Sequence, residues 1–476
     1  MKYYSIIGLE VHLELNTKSK AFCGCSTQFG NAANSQTCPV CLGMPGSLPV
    51  LNRTALSFAL KAALALNCRI SNFTKFDRKN YFYPDLPKSY QISQYDKPLS
   101  HHGWLDIEMG DSVKRIGITR VHQEEDTGKL LHKEGEPSSL IDFNRSGIPL
   151  LEIVSEPDMN SPQEAYEYLT QLKAILEYLD VSDCSMEKGS LRCDANISIS
   201  DDPKKLGTKT EIKNLNSFKA VRSALEYESA RQIKVLESGQ GMVQETRLWD
   251  DNKGKTLPMR SKEEAHDYRY FPEPDLVPFT FDDKEIESVK KSLPELPAQR
   301  RKRFVKDYAL SEYDAKVLTQ DKALADYFQE CAKNYNNPKA ITNWLLSDIA
   351  AIMNTKLAGI KELNLSPLAL ADMLKMIDAN VLSGKMAKDV LIQMIDTGKT
   401  AKDIVEQKGL KQISDDKTII EAADKVLKEN PKAVEDFKSG KEQAIVFLVG
   451  QLMRHTKGKA NPALANKILK ERLGAM

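Results

Sequence analysis

The sequence predicts an α+β chain, with a strand-rich part over the first two-thirds followed by a helical remainder. Three observations carry this. Up to about Leu293, short segments alternate apolar with polar residues, and Gly and Pro are frequent. Past Leu293-Pro294-Glu295-Leu296-Pro297 the pattern becomes long Ala/Leu/Lys/Glu-rich runs with few breakers. A chain of 476 residues is also too long for one core, so two or three domains are expected.

The elements follow in order. Residues 8–15 alternate as a strand, with Leu9, Val11, Leu13 and Leu15 on one face and Gly8, Glu10, His12 and Glu14 on the other. A cysteine cluster comes next, Cys23-Gly24-Cys25 and then Cys38-Pro39-Val40-Cys41-Leu42-Gly43. Residues 78–91 hold aromatics, lysines and two prolines, which fix a stiff irregular loop. A strand over 116–121 runs into His122-Gln123-Glu124-Glu125-Asp126, a dense acidic cluster at the expected strand end. Residues 161–179 read as a helix opened by Ser161 as N-cap, Pro162 at N1 and Glu164 at N3. In 190–199, Leu191, Cys193, Ala195, Ile197 and Ile199 face one way, against Ser190, Arg192, Asp194, Asn196 and Ser198. Residues 208–214 present Lys209, Glu211 and Lys213 on one face, and 217–236 form a second helix. Beyond the boundary, one helical set spans 300–400 with Asn343-Trp344-Leu345-Leu346 as its core anchor. A turn over 409–416 leads into a last unit. No fixed-period repeat stands out, so a solenoid is not expected.

Composition narrows the class. Lys+Arg total 67 against 66 Asp+Glu, so nucleic-acid binding would have to come from a local patch. The apolar run after Met1 is too short for a signal peptide, and no stretch approaches the roughly 18 apolar residues of a membrane helix. With eight cysteines not spread as a disulfide framework, a cytoplasmic chain of reduced thiols is expected.

Several strands carrying carboxylates and cations on one face suggest a shared cavity wall, whereas one such strand alone reads better as a solvated edge. Carboxylates with one histidine select hard ions such as Mg²⁺ or Mn²⁺. Lysines and arginines on the same faces suit phosphate, and together these are the needs of phosphoryl transfer. There is no Gly-x-x-x-x-Gly-Lys-Ser/Thr loop and no Gly-x-Gly-x-x-Gly after a strand. In the 78–91 loop, Lys79 and Lys88 suit phosphate or RNA and Tyr81 or Tyr90 a base; the same residues also suit a loop sealing the core. Cys38-Pro39-Val40-Cys41 has the form of a zinc knuckle whose Gly43 lets backbone N–H groups approach the sulfurs. Four thiolates mark structural zinc, and the alternative is four metal-free thiols. From residue 441 onward Lys441, Arg454, Lys457, Lys459, Lys467, Lys470 and Arg472 stand against Glu442 and Glu471, seven basic to two acidic residues. That excess of five suits a nucleic-acid backbone or a merely solvated helical face.

The chain resembles the B-subunit family of the bacterial tRNA-dependent amidotransferase, the GatB/GatE family. The segments that carry the resemblance span most of its length. They include residues 8–12, 80–91, 124–129, 141–150, 189–196, 211–217 and 268–275, and in the tail Phe447-Leu448-Val449-Gly450-Gln451 with Thr456-Lys457-Gly458, which is YqeY-like. The resemblance implies a glutamine-synthetase-like antiparallel β cradle over 1–293 with the zinc knuckle inserted, an all-α helical domain over 294–408, and a small α-helical tail domain over 409–476.

It also implies the reaction. Misacylated Asp-tRNA(Asn) or Glu-tRNA(Gln) is phosphorylated by ATP on its side-chain carboxylate, then amidated by ammonia that a glutaminase A-subunit makes and a channel delivers. A small C-subunit makes up the heterotrimer. Carried over to this chain, Glu10, His12 and Glu125 are the expected Mg²⁺ ligands, with Glu124, Asp194 and Glu211 as further acids. Lys79, Lys88, Arg192 and Lys213 meet ATP phosphates or the substrate carboxylate, while Tyr81, Ser190 and Asn196 line the cavity. Zinc falls to Cys23, Cys25, Cys38 and Cys41, and the basic tail becomes a contact for the tRNA elbow. The rival readings are a zinc-containing RNA-binding module without chemistry and a metallohydrolase acting without ATP. Carboxylates facing a phosphate backbone argue against the first unless a metal lies between them.

Overall fold

The computed structural model describes all residues except 1–2, 111, 133–137, 262–266, 410–415, 440, 442, 457–459, 461 and 475–476. The sequence expectations for Glu442, Lys457, Gly458 and Lys459, and for most of the 409–416 turn, fall outside the described residues. Among the described residues no helix is long and apolar enough to cross a membrane. The chain gathers into two compact units, Met1–Pro297 and Ala298–Met476.

The first unit is built on strands β1 (Tyr4–Glu14), β2 (Arg69–Ile70), β3 (Phe73–Thr74), β4 (Asp77–Asn80), β5 (Tyr90–Ser93), β6 (Ser100–Met109), β7 (Ser112–Glu125) and β8 (Lys129–His132). It continues with β9 (Ser139–Asp142), β10 (Pro149–Ser155), β11 (Leu191–Ser200), β12 (Thr210–Lys213), β13 (Glu245–Asp250), β14 (Lys255–Ser261), β15 (Phe271–Pro272) and β16 (Phe279–Thr280). Nine of them form one sheet in the order β14-β13-β12-β11-β1-β10-β7-β6-β2. The expected antiparallel sheet needs one correction: β12 and β13 run parallel, because the whole of α3 (Phe218–Glu237) lies between them as a crossover. The sheet is therefore mixed, with antiparallel pairs on both sides of that junction.

One sheet face is the core. Leu9, Val11 and Leu13 of β1 and Leu191, Cys193, Ala195 and Ile197 of β11 are all buried there, as period-two alternation demands. They meet α2 (Pro162–Tyr178) and α3, whose Leu169, Leu172, Val221 and Leu225 belong to the same apolar cluster. Both helices begin at the serines where the sequence starts them, of which it names Ser161 as a cap. Ser161 Oγ accepts from Glu164 N–H at 3.2 Å, and Ser217 Oγ from Ala220 N–H at 3.0 Å. Helices α1 (Arg53–Ala65) and α4 (Asp283–Lys291) pack together at the β2–β7 end of this core. The opposite sheet face is polar and is overhung by the small sheet β15-β4-β5.

Register explains which acids reach the polar face. In β7, Ile116 and Ile118 point into the core, but Val121 does so next. Between them β7 carries an extra residue: Val154 pairs Arg120 whereas Ser155 pairs Ile118, leaving Thr119 as a β-bulge. The bulge reverses the phase, so Arg120, His122 and Glu124 share the polar face and Glu125 turns away.

The second unit is helical, from α5 (Pro297–Tyr308) to α16 (Pro462–Gly474). It holds two apolar clusters. One runs from Phe304 to Val405, the other from Ile419 to Leu473. The expected anchor at 343–346 narrows to Leu345: Asn343 is exposed and Trp344 half-buried, while Ile341, Leu345 and Ile349 are fully buried. Their spacing of four residues follows one face of a helix that widens into a π turn over Leu345–Ile349.

Candidate active site

The polar face presents parallel rows of side chains, because paired residues in neighbouring strands point the same way. His12 lies between Arg192 and Glu152, and Glu152 lies opposite His122. Glu10 lies opposite Asp194, and Asn196 opposite Glu211. One face thus carries residues of β7, β10, β1, β11 and β12.

At its centre, one ligand atom each of His12, Glu124 and Glu152 lies within 4.8 Å of the others. Glu152 approaches His12 Nε2 at 3.5 Å, His122 Nε2 at 3.7 Å and Arg120 at 3.5 Å. Glu124 takes hydrogen bonds from Gln91 Nε2 at 3.0 Å and Ser93 Oγ at 2.5 Å, and His122 Nε2 lies 3.1 Å away. Burial works against both carboxylates, yet neighbouring groups hold them below the usual carboxylate range. For Glu124 these are Lys79 and the hydrogen bond with His122; for Glu152 they are His122, His12 and Lys79. Burial alone would lower the His12 pKa, but the hydrogen bond and charge of Glu152 leave it raised. Lys79 Nζ hangs over the cluster, 5.0 Å from the Tyr268 ring centre and 5.8 Å from that of Tyr81. Burial opposes its charge, and Glu124, with Tyr270, Tyr81 and Glu152, more than restores it. One imidazole and two carboxylates in mutual reach fit a divalent cation with open positions, and Lys79 and Arg120 beside them fit phosphate.

One row along β1, a second group forms. Glu14 is pushed up to about 8 by burial and by neighbouring Asp126. Asp126 is held below the usual range against burial, by Arg192 and Arg145. Arg192 donates to Asp126 at 2.6 Å, and Arg145 lies 3.7 Å from it. Beyond Glu14 opens a cavity of about 810 Å³ whose wall includes Lys18, Lys129, Arg145, Lys188 and Ser190. That size admits a nucleotide-sized ligand.

The four cysteines of the knuckle have their sulfurs within 4.8 Å of one another, and Cys38 and Cys41 sulfurs stand 3.9 Å apart. A tetrahedral site with Zn–S near 2.3 Å has edges of about 3.8 Å, so the cluster fits zinc. Backbone groups do approach the sulfurs: Cys38 N–H stands 3.2 Å from Cys41 Sγ, and the backbone of Cys25 bonds the Cys23 thiol. Gly43 itself gives its N–H to Val40 O, and its φ of +66° brings it against Lys88.

The structure gathers His12, Glu124, Lys79 and Arg192 around this centre, with Glu10 and Asn196 on the neighbouring row joined at 3.2 Å. It does not bring Glu125 there. Turned over by the bulge, Glu125 accepts from Lys88 and from Ile92 N–H, in a separate cavity against the knuckle. Asp194 and Glu211 lie on the site face but are both bound by Lys213. Tyr81 donates to Gln91 at 3.2 Å, beside the centre, whereas the Ser190 hydroxyl bonds Asp183 at the cavity end. Sequence reasoning gave no role to Glu152 or Arg145, and it named Glu14, His122 and Asp126 only as members of a strand face and an acidic cluster. Glu152 left a signal: it is the single charge in the apolar run Leu150-Leu151-Glu152-Ile153-Val154, and a buried charge needs partners.

Comparison with known proteins agrees along the chain. The GatB/GatE catalytic domain family matches residues 5–287, and the GatB domain family matches residues 326–473. A Thermoanaerobacter sp. (strain X514) protein is 59% identical over 474 residues, covering 99% of this chain and 100% of its own length. One from Carboxydothermus hydrogenoformans is 55% identical over 479 residues, covering 100% of both. One from Brevibacillus brevis is 54% identical over 476 residues, again covering 100% of both. All three are named as the B-subunit of aspartyl/glutamyl-tRNA(Asn/Gln) amidotransferase.

Proposed function

This chain belongs to the GatB/GatE family, and on that premise we propose how its polar sheet face serves the family's reaction. The function is that of a ligase in protein biosynthesis: tRNA-dependent formation of Asn or Gln with glutamine as amide donor. In our reading the substrate is the side-chain carboxylate of Asp-tRNA(Asn) or Glu-tRNA(Gln). Bound ATP with Mg²⁺ or Mn²⁺ would supply the phosphoryl group that makes a carboxylate oxygen able to leave. His12, Glu124 and Glu152 hold the cation. Lys79 and Arg192 counter phosphate and carboxylate charge, and Asp126 fixes Arg192 in place. Glu10, Asn196, Asp194, Glu211 and Lys213 form the adjoining wall.

The same reading covers the rest of the chain. Residues 1–293 act as a glutamine-synthetase-like cradle, 294–408 as a helical domain and 409–476 as a YqeY-like tail that touches tRNA. Zinc occupies Cys23, Cys25, Cys38 and Cys41. The chain works in the cytoplasm in a heterotrimer, where a glutaminase A-subunit supplies ammonia and a small C-subunit is the third member.

The observation that carries the proposal is the convergence of His12, Glu124 and Glu152 within 4.8 Å beneath Lys79. The test is ATP turnover by the reconstituted heterotrimer on adding Asp-tRNA or Glu-tRNA. Glu152→Gln and His12→Ala are expected to lower it on the order of 10²-fold, with glutaminase activity intact. Undiminished turnover would sink the assignment, and product release without ATP would favour a hydrolase.

A further inference from the structure

Lys20 is fully buried, and among the described residues no carboxylate stands within 4.0 Å of its ammonium. Its ammonium reaches Cys41 Sγ at 3.7 Å and the carbonyl of Phe143 at 3.3 Å. A buried charge requires a counter-charge. Glu125 lines the same cavity but is bound by Lys88, and the thiolate cluster is what the Lys20 ammonium contacts. Four thiolates around Zn²⁺ carry two excess negative charges, of which Lys20 offsets one.

The other acceptor of Lys20 belongs to the loop that carries Arg145. That loop is stapled to the knuckle at several points. Asn34 N–H donates to Asp142 at 3.0 Å, Asn34 Nδ2 to Ile141 O at 3.0 Å, and Phe143 N–H to Asn34 Oδ1 at 2.8 Å. Asn144 Nδ2 donates to Ala32 O at 2.7 Å, and Asn144 Oδ1 accepts from Gln36 N–H at 2.8 Å. Ala21 N–H, next to Lys20, donates to Gly147 O at 2.8 Å. On its other side Arg145 donates to the carbonyls of Thr127 at 3.0 Å and Gly128 at 2.7 Å, and flanks Asp126.

We propose that Lys20 is a positioning residue that couples metal in the cysteine cluster to the 141–147 loop, and through Arg145 to the Asp126–Arg192 pair of the active site. This rests on the zinc reading of the four cysteines. The knuckle is then more than a surface staple. Its metal completes the charge that keeps Lys20 in place, and Lys20 with the Asn34 and Asn144 bonds fixes the loop.

The experiment compares the full-length parent, Lys20→Met and Lys20→Arg by zinc content, chelator competition and amide hydrogen exchange. We expect Lys20→Met to lose zinc affinity by about 10–100-fold, as for loss of a group that bonds a metal ligand, and Lys20→Arg to recover most of it. Stripping zinc from the parent is expected to speed exchange over 141–147 while β11 stays protected, a readout that stands if Lys20→Met does not fold. A parent free of zinc would overturn the zinc reading itself. A parent that holds zinc, with Lys20→Met holding it as tightly or with exchange over 141–147 indifferent to metal, would overturn this inference alone.

Discussion

Two neighbouring carboxyl groups show how strongly place decides behaviour. Glu14 and Asp126 adjoin, and one proton suits them better than none: Glu14 is raised to about 8 while Asp126 is lowered. A carboxyl whose pKa is raised on folding adds stability that is fully present below its unfolded value. That stability is lost as pH rises through the folded value. For Glu14 the window runs from about 4.5 to about 8. Asp126 has the opposite sign, so its contribution is present above its ordinary value of 3.8 and lost only below it. Glu14→Gln keeps a donor toward Asp126 without the titration. It should raise the melting temperature at pH 8.5 by about 2–4 °C over the parent, and leave it nearly unchanged at pH 5. Equal differences at both pH values would rule out the shared proton. Glu152 makes a parallel point: its neighbours Leu151 and Ile153 are fully buried on the core face, so the strand holds its carboxylate on the polar one.

Strand phase and close packing govern the elements. Uninterrupted alternation from Ile116 and Ile118 would send Glu125 to the site, as the sequence expectation has it. One inserted residue at Thr119 sends Glu124 there instead. Elsewhere a single hydrogen atom's width matters. A Cβ on Gly103 of β6 would lie 2.3 Å from Cys68 Sγ, 2.7 Å from Leu66 O and 3.2 Å from Cys68 Cα. The thiol can rotate away, but the Leu66 carbonyl accepts from Trp104 N–H at 3.0 Å and the chain after Cys68 pairs with β6, so the backbone is held there. Gly103→Ala should therefore cost about 1–3 kcal/mol, read as a lower denaturation midpoint. An unshifted midpoint would show that this edge of the sheet yields more easily than its contacts imply.

For the whole molecule, the tail's basic excess is smaller in effect than its count. Lys441 pairs with Asp436 at 2.8 Å, Lys467 meets Glu471 at 4.0 Å, and Arg472 is bound by Asp424. Arg454 and Lys470 remain exposed. Such surface pairs are weak and can open for phosphate, so the proposed tRNA contact survives them. A chain ending at Gly409, the left-handed cap of α12 (Ala401–Lys408), removes the Ile419–Leu473 cluster whole. It should bind tRNA at least about tenfold more weakly while keeping its zinc and supporting glutaminase activity in the complex. Full tRNA affinity would place the contact elsewhere.

The sequence by itself determined what is local. Period-two alternation assigned the faces of β1 and β11 residue by residue, and Ser161 and Ser217 marked the helix starts. Cysteine spacing picked out the thiolate cluster. Each of these depends on neighbours a few positions away. Only the tertiary structure decided which rows lie side by side: Glu152 against His12, Asp126 against Glu14, and Glu124 rather than Glu125 at the centre. Those choices rest on strand order, register and one bulge. They are set by pairings between distant segments, which no local pattern encodes.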